Sequence, residues 1–510
     1  MDKSCTSRQK KTRKRHKHVR STPPELAGSI DSPTISWDEQ FPEHRKISDL
    51  RSHVEWKRGH NSRGDDLELF CQDAEDTTGT FEVEEWKKFC HGVTLSDVEN
   101  GVGAAGEDRI VWLDDRTSGG NFDPKDGGQE RKIANPLTAQ ELQRTLAEPR
   151  FHHKMKPDAA RRLVYISDLS PGCIHALAST ASSHQTPVLR KAIHKYLSFQ
   201  TSIGFNTSPS GLIFQLDLHL PFFMLKKETA PEKTSGDGNL TIATKRDWTN
   251  LSFLGFPDGK TFNSEGKDQG PEGMEVWGLH EAQISCVVTG SDDSKWVAYG
   301  FVDAEIDGIL AECDEEDLRF DPITSRVSEV HTPIWRPRDY WIKVLEIRIG
   351  QVRKEWDDIL YFLEKSVDIY IKEHPFTFSK RPETAPERSV EMKKAFDWTV
   401  QAMALLDRVS GVLADTVEAW ETFKKRDFKE MGYSRNSKAL NIIHALKSLK
   451  AIRNTFQELQ NHQKRLKRIS ESCSGFSKRL ALRLNVESKE VADQSGSTSE
   501  LTVSYLLIIG

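Results

Sequence analysis

Leu449, Ile452, Phe456, Leu459, Gln463 and Leu466 recur at alternating spacings of three and four. Ile469, Cys473, Phe476, Leu480 and Leu484 resume the seam after a one-residue slip. An a/d seam sustained over about five heptads belongs to a helix that buries one narrow stripe against other helices. The segment NSKAL to NVES therefore predicts a helix of roughly 50 residues, about 75 Å long at 1.5 Å per residue. A compact domain has no use for that reach, and a stalk does. Two more long helices are expected upstream. RDYWIKVLEIRIGQVRKEWDDILYFLEK carries an apolar stripe of Val344, Ile347, Val352, Trp356, Ile359, Leu360 and Leu363. The Pro-containing linker Pro375–Pro386 ends it, and MKKAFDWTVQAMALLDRV begins the next.

The chain before Pro337 reads differently. LVYISDL, Leu163 to Leu169, predicts a strand, and Pro171 then opens a helix with Ile174, Leu177 and Ala178 on one face. TPVLRKAIHKYLSFQ predicts a second helix. Phe214 to Leu225 alternates with period two, as a half-buried strand does. Ala282 to Gly290 and Trp296 to Glu305 are strands joined by SDDSK, a spacer that fits an antiparallel hairpin. Arg109 to Asp115 reads as a further strand, and Thr117 to Glu130 as a Gly- and Asp-rich loop. Trp86, Phe89 and Val93 share a helical face. The expected fold class is thus an α+β or α/β head followed by long antiparallel helices with coiled-coil periodicity, the C-terminal half being predominantly helical.

Five regions follow. Residues 1–45 read as a disordered basic tail and 46–160 as a loop-containing N-terminal region. Residues 161–336 read as the head, with an insertion at about 227–275 rich in Lys, Asp, Gly, Thr and Pro. Residues 337–500 form the stalk, and 501–510 the start of a membrane span. Hydrophobic residues make up 36% of the chain and mean hydropathy is −0.60, which leaves room for solvated helices and unstructured stretches. Nine Lys/Arg against Asp2 fall within residues 1–20. Such a run is a solvated tail, an import-like patch, or a surface drawn to anionic lipid or nucleic acid; it specifies no particular nucleic-acid site. Without an apolar core behind it, it is no secretory signal. Cys5, Cys71, Cys90, Cys173, Cys286, Cys313 and Cys473 are odd in number and never form CxxC, which suits reduced thiols rather than zinc ligands or a disulfide framework.

Chemical signatures are sparse. Gly101, Gly103 and Gly106 match GxGxxG, but the strand RIVWLDD follows the glycines instead of preceding them, so dinucleotide binding is disfavoured. Cys173 with His175, the pair His152/His153, and His184 with His194 read as packed or surface residues, not as a nucleophile pair or ligand set. No HExxH, P-loop, GxSxG or kinase pattern occurs, and no enzymatic role or bound cofactor is expected. Glu312, Asp314, Glu315, Glu316 and Asp317 form an acidic run that could attract divalent cations, yet it lacks the glycine and alternation of a formed calcium loop. Lys464, Arg465, Lys467 and Arg468 lie on the long helix as a solvated face, or as the positive flank of a membrane entrance. Leu501, Val503, Tyr505, Leu506, Leu507, Ile508 and Ile509 lie in an apolar strip that is expected to begin a transmembrane segment; a full span needs about 20 such residues.

Four segments, RRLVYISDLSPGCIHALASTASSHQTPVLRKAIHKYLSFQTSIG, FQLDLHLPFFML, EAQISCVVTGSDDSKWVAYGFVD and PIWRPRDYWIKVLEIRIGQVRKEW, resemble a group of fungal CorA-like proteins. The resemblance spans residues 161–510. It implies a cytosolic head, helices folded back on it, a long helix entering the membrane, Mg2+ or a similar divalent ion as transported or regulatory species, and a homopentamer. It implies a membrane location with a cytosolic N-terminal region, and a cytoplasmic one for the chain as it stands. The family's Gly-Met-Asn loop is absent, since Gly273-Met274 is followed by Glu275. Both full spans are absent too. No selectivity residue can be carried over, and the sequence by itself is not expected to transport. It is either one part of a longer protein or a relative that does not conduct. The alternative from another class is a coiled-coil interaction or scaffold protein.

Overall fold

The computed structural model describes residues 52–60, 64–72, 80–118, 127–207, 213–229, 246–255, 275–291, 293–303, 321–324, 333–374, 385–427 and 440–495. Helices α1 (His53–Gly59), α2 (Asp66–Cys71), α3 (Thr80–Phe89), α4 (Leu95–Asn100) and α5 (Ala104–Glu107) come first, then strands β1 (Val111–Thr117) and β2 (Gln129–Glu130) and helix α6 (Ala139–Ala147). The head continues with β3 (Arg161–Ser167), α7 (Pro171–Thr180), α8 (Thr186–Leu197), β4 (Ser202–Thr207), β5 (Phe214–Thr229), β6 (Trp248–Asn250), β7 (Glu275–Gly290) and β8 (Trp296–Val302). Three long helices follow: α9 (Pro337–Glu373), α10 (Ala385–Arg426) and α11 (Leu440–Ser495).

The strands form one mixed sheet in the order β2-β1-β3-β8-β7-β5-β4, with β6 also paired to β7. Only β3 and β8 run parallel. All seven residues of each are buried, the mark of strands covered on both faces. Successive side chains leave a strand on opposite faces, and β3 shows this at Arg161 and Arg162. Arg161 lies over the rings of Trp296 and of Tyr340 in α9, while Arg162 turns the other way to Asp115 of β1. Val164 and Ile166, on the Arg162 face, share a core with Trp86, Val98, Ile174, Leu177, Leu189 and Phe301.

The expected hairpin is present: Ile284–Gly290 pairs antiparallel with Trp296–Val302. β5 and β7 both run longer than expected and stay paired from Phe214↔Gly290 to Thr229↔Glu275. Three expectations need correction. Gln129–Glu130, expected in a loop, pairs with Arg116 and Thr117 as an edge strand. Trp248–Asn250, inside the expected insertion, pairs with Gly278–His280. The boundary drawn at residue 161 cuts through the sheet, because β1 pairs with β3 from Val111↔Ile166 to Arg116↔Arg161. The cause is a single core: the helices before β1 have no other apolar partner.

GVGAAG makes a tight link between two short helices. Gly101 caps α4 at φ 66°, in the left-handed region, and a Cβ on Gly106 would stand 2.2 Å from the Gly101 carbonyl oxygen. The glycines are there because the turn closes on itself.

A polar pocket of side chains is sealed beneath α8. Asp217 accepts hydrogen bonds from Lys195 Nζ (3.0 Å) and from Ser202. His219 Nδ1 lies 2.8 Å from Ser285 Oγ, and Gln283 Nε2 donates to that oxygen at 3.3 Å. Burial pulls the His219 pKa down to about 3, so the ring is neutral in the folded protein. The unfolded chain binds a proton there near pH 6.5, and the folded chain does not. Stability is therefore full above pH 6.5 and falls as pH drops toward 3. Burial lowers His53 and His175 as well, so the wild-type slope is a composite. His219→Leu is expected to flatten it: urea midpoints measured from pH 7 to pH 4 should fall less in the variant. Equal slopes would mean that His219 takes up its proton without unfolding.

Candidate functional site at the junction of head and helices

The long helices reach the head through four sets of polar contacts set in an apolar interface. The first lies at the start of α9. Arg161 binds Asp114 at 2.6 Å and approaches Asp321 at 3.5 Å, and Tyr340 donates its hydroxyl to Asp321 at 3.0 Å. Burial pushes the Asp321 carboxyl up, against the pull of Arg161 and Tyr340. One turn further on, Arg348 is fully buried in α9 and donates to the carbonyls of Ile323 and Pro322, both at 2.8 Å. These bonds satisfy backbone acceptors that would otherwise be buried without partners.

The second set holds α10. Arg408 donates to Glu281 of β7 at 2.6 Å and to Thr249 of β6 at 3.0 Å, and lies over the ring of Phe223 in β5. The third is at the far end of α10, where the Asp427 carboxylate accepts from the Phe205 amide at 3.3 Å and covers one outward donor of edge strand β4. The fourth ties α9 to α11. Arg465 grips Glu364 with two bonds of 2.9 and 2.8 Å, Arg353 meets Glu458 at 3.2 Å, and Ser448 donates to Glu346 at 2.7 Å. His462 Nε2 stands 3.0 Å from Asp357, and burial keeps its ring below the usual histidine range.

Between these contacts the helices pack through aromatic rings. Trp398 stacks on Tyr370 at 3.7 Å with Phe476 edge-on to both, and Trp420 stacks on Phe456 at 4.7 Å. The predicted seam is buried along α11 from Leu449 to Leu480. Its partners are α9 and α10 of the same chain. At the slip, His462 is the buried residue and Gln463 is half-buried. In α9 the stripe holds except at Ile347, which is half-buried while its neighbour Arg348 takes the interior position.

Arg408 is 37% exposed, so its ion pair with Glu281 is weakened by solvent screening. Arg408→Ala is expected to cost about 1–2 kcal/mol, most of it lost contact with Phe223. A double-mutant cycle with Glu281→Ala should leave a coupling of about 0.5 kcal/mol. A coupling near zero in urea melts would remove this pair from the junction.

Glu312, Asp314, Glu315, Glu316 and Asp317 lie outside the described residues. So do Leu501, Val503, Tyr505, Leu506, Leu507, Ile508 and Ile509, and with them Cys5 and Cys313. Among the described residues, no cluster of three or more His, Cys, Asp or Glu is placed to hold a metal ion, and no helix is long and apolar enough to cross a membrane. Cys173 is buried in α7, its thiol pushed up to about 11, and His175 Nε2 lies 3.0 Å from the Val93 carbonyl. His153 Nδ1 accepts from the amides of Met155 and Lys156, both at 3.1 Å, which makes it a turn residue. Arg465 of the basic run is spent on Glu364, while Lys464, Lys467 and Arg468 face solvent. The buried arginines at the junction, Arg161, Arg162 and Arg348, are what sequence reading missed. Only the oddity of a base inside an apolar stripe could have marked Arg348. No protein-family model matches this chain, and no curated protein matches it.

Proposed function

We propose that this chain is the head and stalk of a CorA-like divalent metal ion transporter-family protein, with α11 as a lever between the mixed-sheet head and a membrane. The cargo class is a divalent cation of the Mg2+ type, the head lies on the cytosolic side, and the working form is a homo-oligomer, a pentamer by the resemblance. The support is the way α11 is mounted. It is 56 residues long, about 84 Å at the helical rise. Its apolar seam is clamped between α9 and α10, and both of those are bolted to the sheet by Arg161, Arg348 and Arg408. A rigid rod fixed to a folded head carries a displacement along its length. The sequence after it passes directly to the apolar strip at Leu501–Ile509.

The scaffold alternative needs a seam free to take a partner helix. Here the seam from Leu449 to Leu480 is filled by the chain's own helices, so no observation favours that alternative.

Sequencing the transcript past the Gly510 codon tests the proposal. About 20 apolar residues followed by Gly-Met-Asn and a second span are expected. A stop codon directly after Gly510, in message from the native gene, would end it.

A further inference from the structure

The outer faces of α10 and α11 carry opposite charge. Between Ala395 and Phe423 the exposed charged residues of α10 are Asp397, Asp407, Asp415 and Glu418, and the single base of that stretch, Arg408, is committed to the head. None of the four acids makes a salt bridge among the described residues. On α11 the exposed face carries Lys450, Lys464, Lys467, Arg468 and Lys478, with Glu471 the one exposed acid between Lys464 and Lys478. Two unneutralised stripes of opposite sign on adjacent helices cannot meet each other, because each points away from the bundle.

The stacked rings fix the heights of these stripes. Trp398 stands level with Phe476, and Trp420 level with Phe456. Counting along the antiparallel helices puts Asp397 level with Lys478, Asp407 level with Lys467 and Arg468, and Asp415 about one turn from Lys464. Exposed apolar residues follow the same rule. Val390, 56% exposed on α10, stands near the height of Leu482, 67% exposed on α11. Complementary groups at equal height are what a pure rotation about an axis along the bundle brings together. Such a rotation generates a closed ring through a head-to-tail contact; a contact needing translation would generate a filament.

We propose that α10 of one copy docks on α11 of the next, acidic face to basic face, as a heterologous self-association interface. Charge complementarity carries this independently of any transport role. The occupant is a second copy because this chain itself supplies the matching acids at the matching heights; a foreign polyanion would have no reason to follow that register.

The test uses the whole chain and light-scattering mass at low and high salt. Raising salt from about 0.1 M to about 1 M shortens the Debye length from about 10 Å to about 3 Å. Multimers are expected at the lower salt, with at least a tenfold loss of association at the higher. Asp397→Lys/Asp407→Lys/Asp415→Lys leaves two basic faces, and Lys464→Glu/Lys467→Glu/Arg468→Glu leaves two acidic ones. Each variant alone is expected to be monomeric, and an equimolar mixture to reassemble. The mixing arm also shows that both variants are folded. Monomeric wild type at low salt, an unchanged mass in either variant, or a mixture that stays monomeric would overturn the proposal. None of these outcomes touches the transcript test.

Discussion

Replacing Asp115 by alanine is expected to remove about 3–5 kcal/mol of folding stability, the cost of leaving a buried partner charge uncompensated. Asp115 is fully buried in β1, and Arg162 of β3 holds it with two bonds of 2.7 and 2.6 Å. Arg131 adds a third contact at 3.9 Å and is itself anchored on the carbonyls of Pro149, Arg150 and Pro157. Burial works to raise the Asp115 pKa, but the charges of Arg162, Arg150 and Arg131 bring the carboxyl to below its usual value. A carboxylate with a depressed folded pKa contributes stability that is present above its unfolded pKa and lost as pH falls through the folded one. The aspartate share of acid unfolding thus lies below about pH 4, under the histidine window set by His219. Total stabilities run to about 5–15 kcal/mol, so the alanine variant should sit close to its unfolding midpoint in little or no urea. Asp115→Leu with Arg162→Met removes both charges and should recover most of the loss. A cost under about 1 kcal/mol for the alanine variant would show that the pair does not hold β1 to β3.

What the sequence revealed and what it hid divide along a physical line. Local periodicity was readable: Phe214–Leu225 alternates, Val344 to Leu363 recurs at helical spacing, and SDDSK is a turn. Each of these signals arises within one element. Pairing partners far apart in the chain were not readable. β1 meets β3 and β3 meets β8 across long separations, and nothing in RIVWLDD names its neighbour. Buried charge was hidden for a second reason. Arg161, Arg162 and Arg348 read as solvated in any hydropathy count, and only the approach of Asp114, Asp115 and the Pro322 and Ile323 carbonyls makes their burial tolerable. At the junction, then, the apolar half was legible as stripes, and the polar half became visible only in three dimensions.

Trp356 connects that junction to the lever. It is fully buried in α9, edge-on to Phe223 of β5 at 6.3 Å, and Phe223 also lies under Arg408 of α10. Sheet, α9 and α10 thus meet around two rings. Trp356→Ala is expected to cost about 3–5 kcal/mol, through lost transfer energy and the cavity left behind. Its indole Nε1 is buried with no hydrogen-bond partner among the described residues. Trp356→Phe deletes that orphan donor along with part of the ring, so the two changes offset and the cost should stay near 1 kcal/mol. Urea unfolding followed by both helix and tryptophan signals distinguishes a lever from two loosely joined parts. A rigid mounting predicts one cooperative transition in wild type and in the phenylalanine variant. In the alanine variant the probes should separate and the apparent m-value should fall, as helices and sheet unfold independently. If wild type already shows two transitions, α11 is tethered to the head without being mounted on it, and no movement of one could be transmitted faithfully to the other.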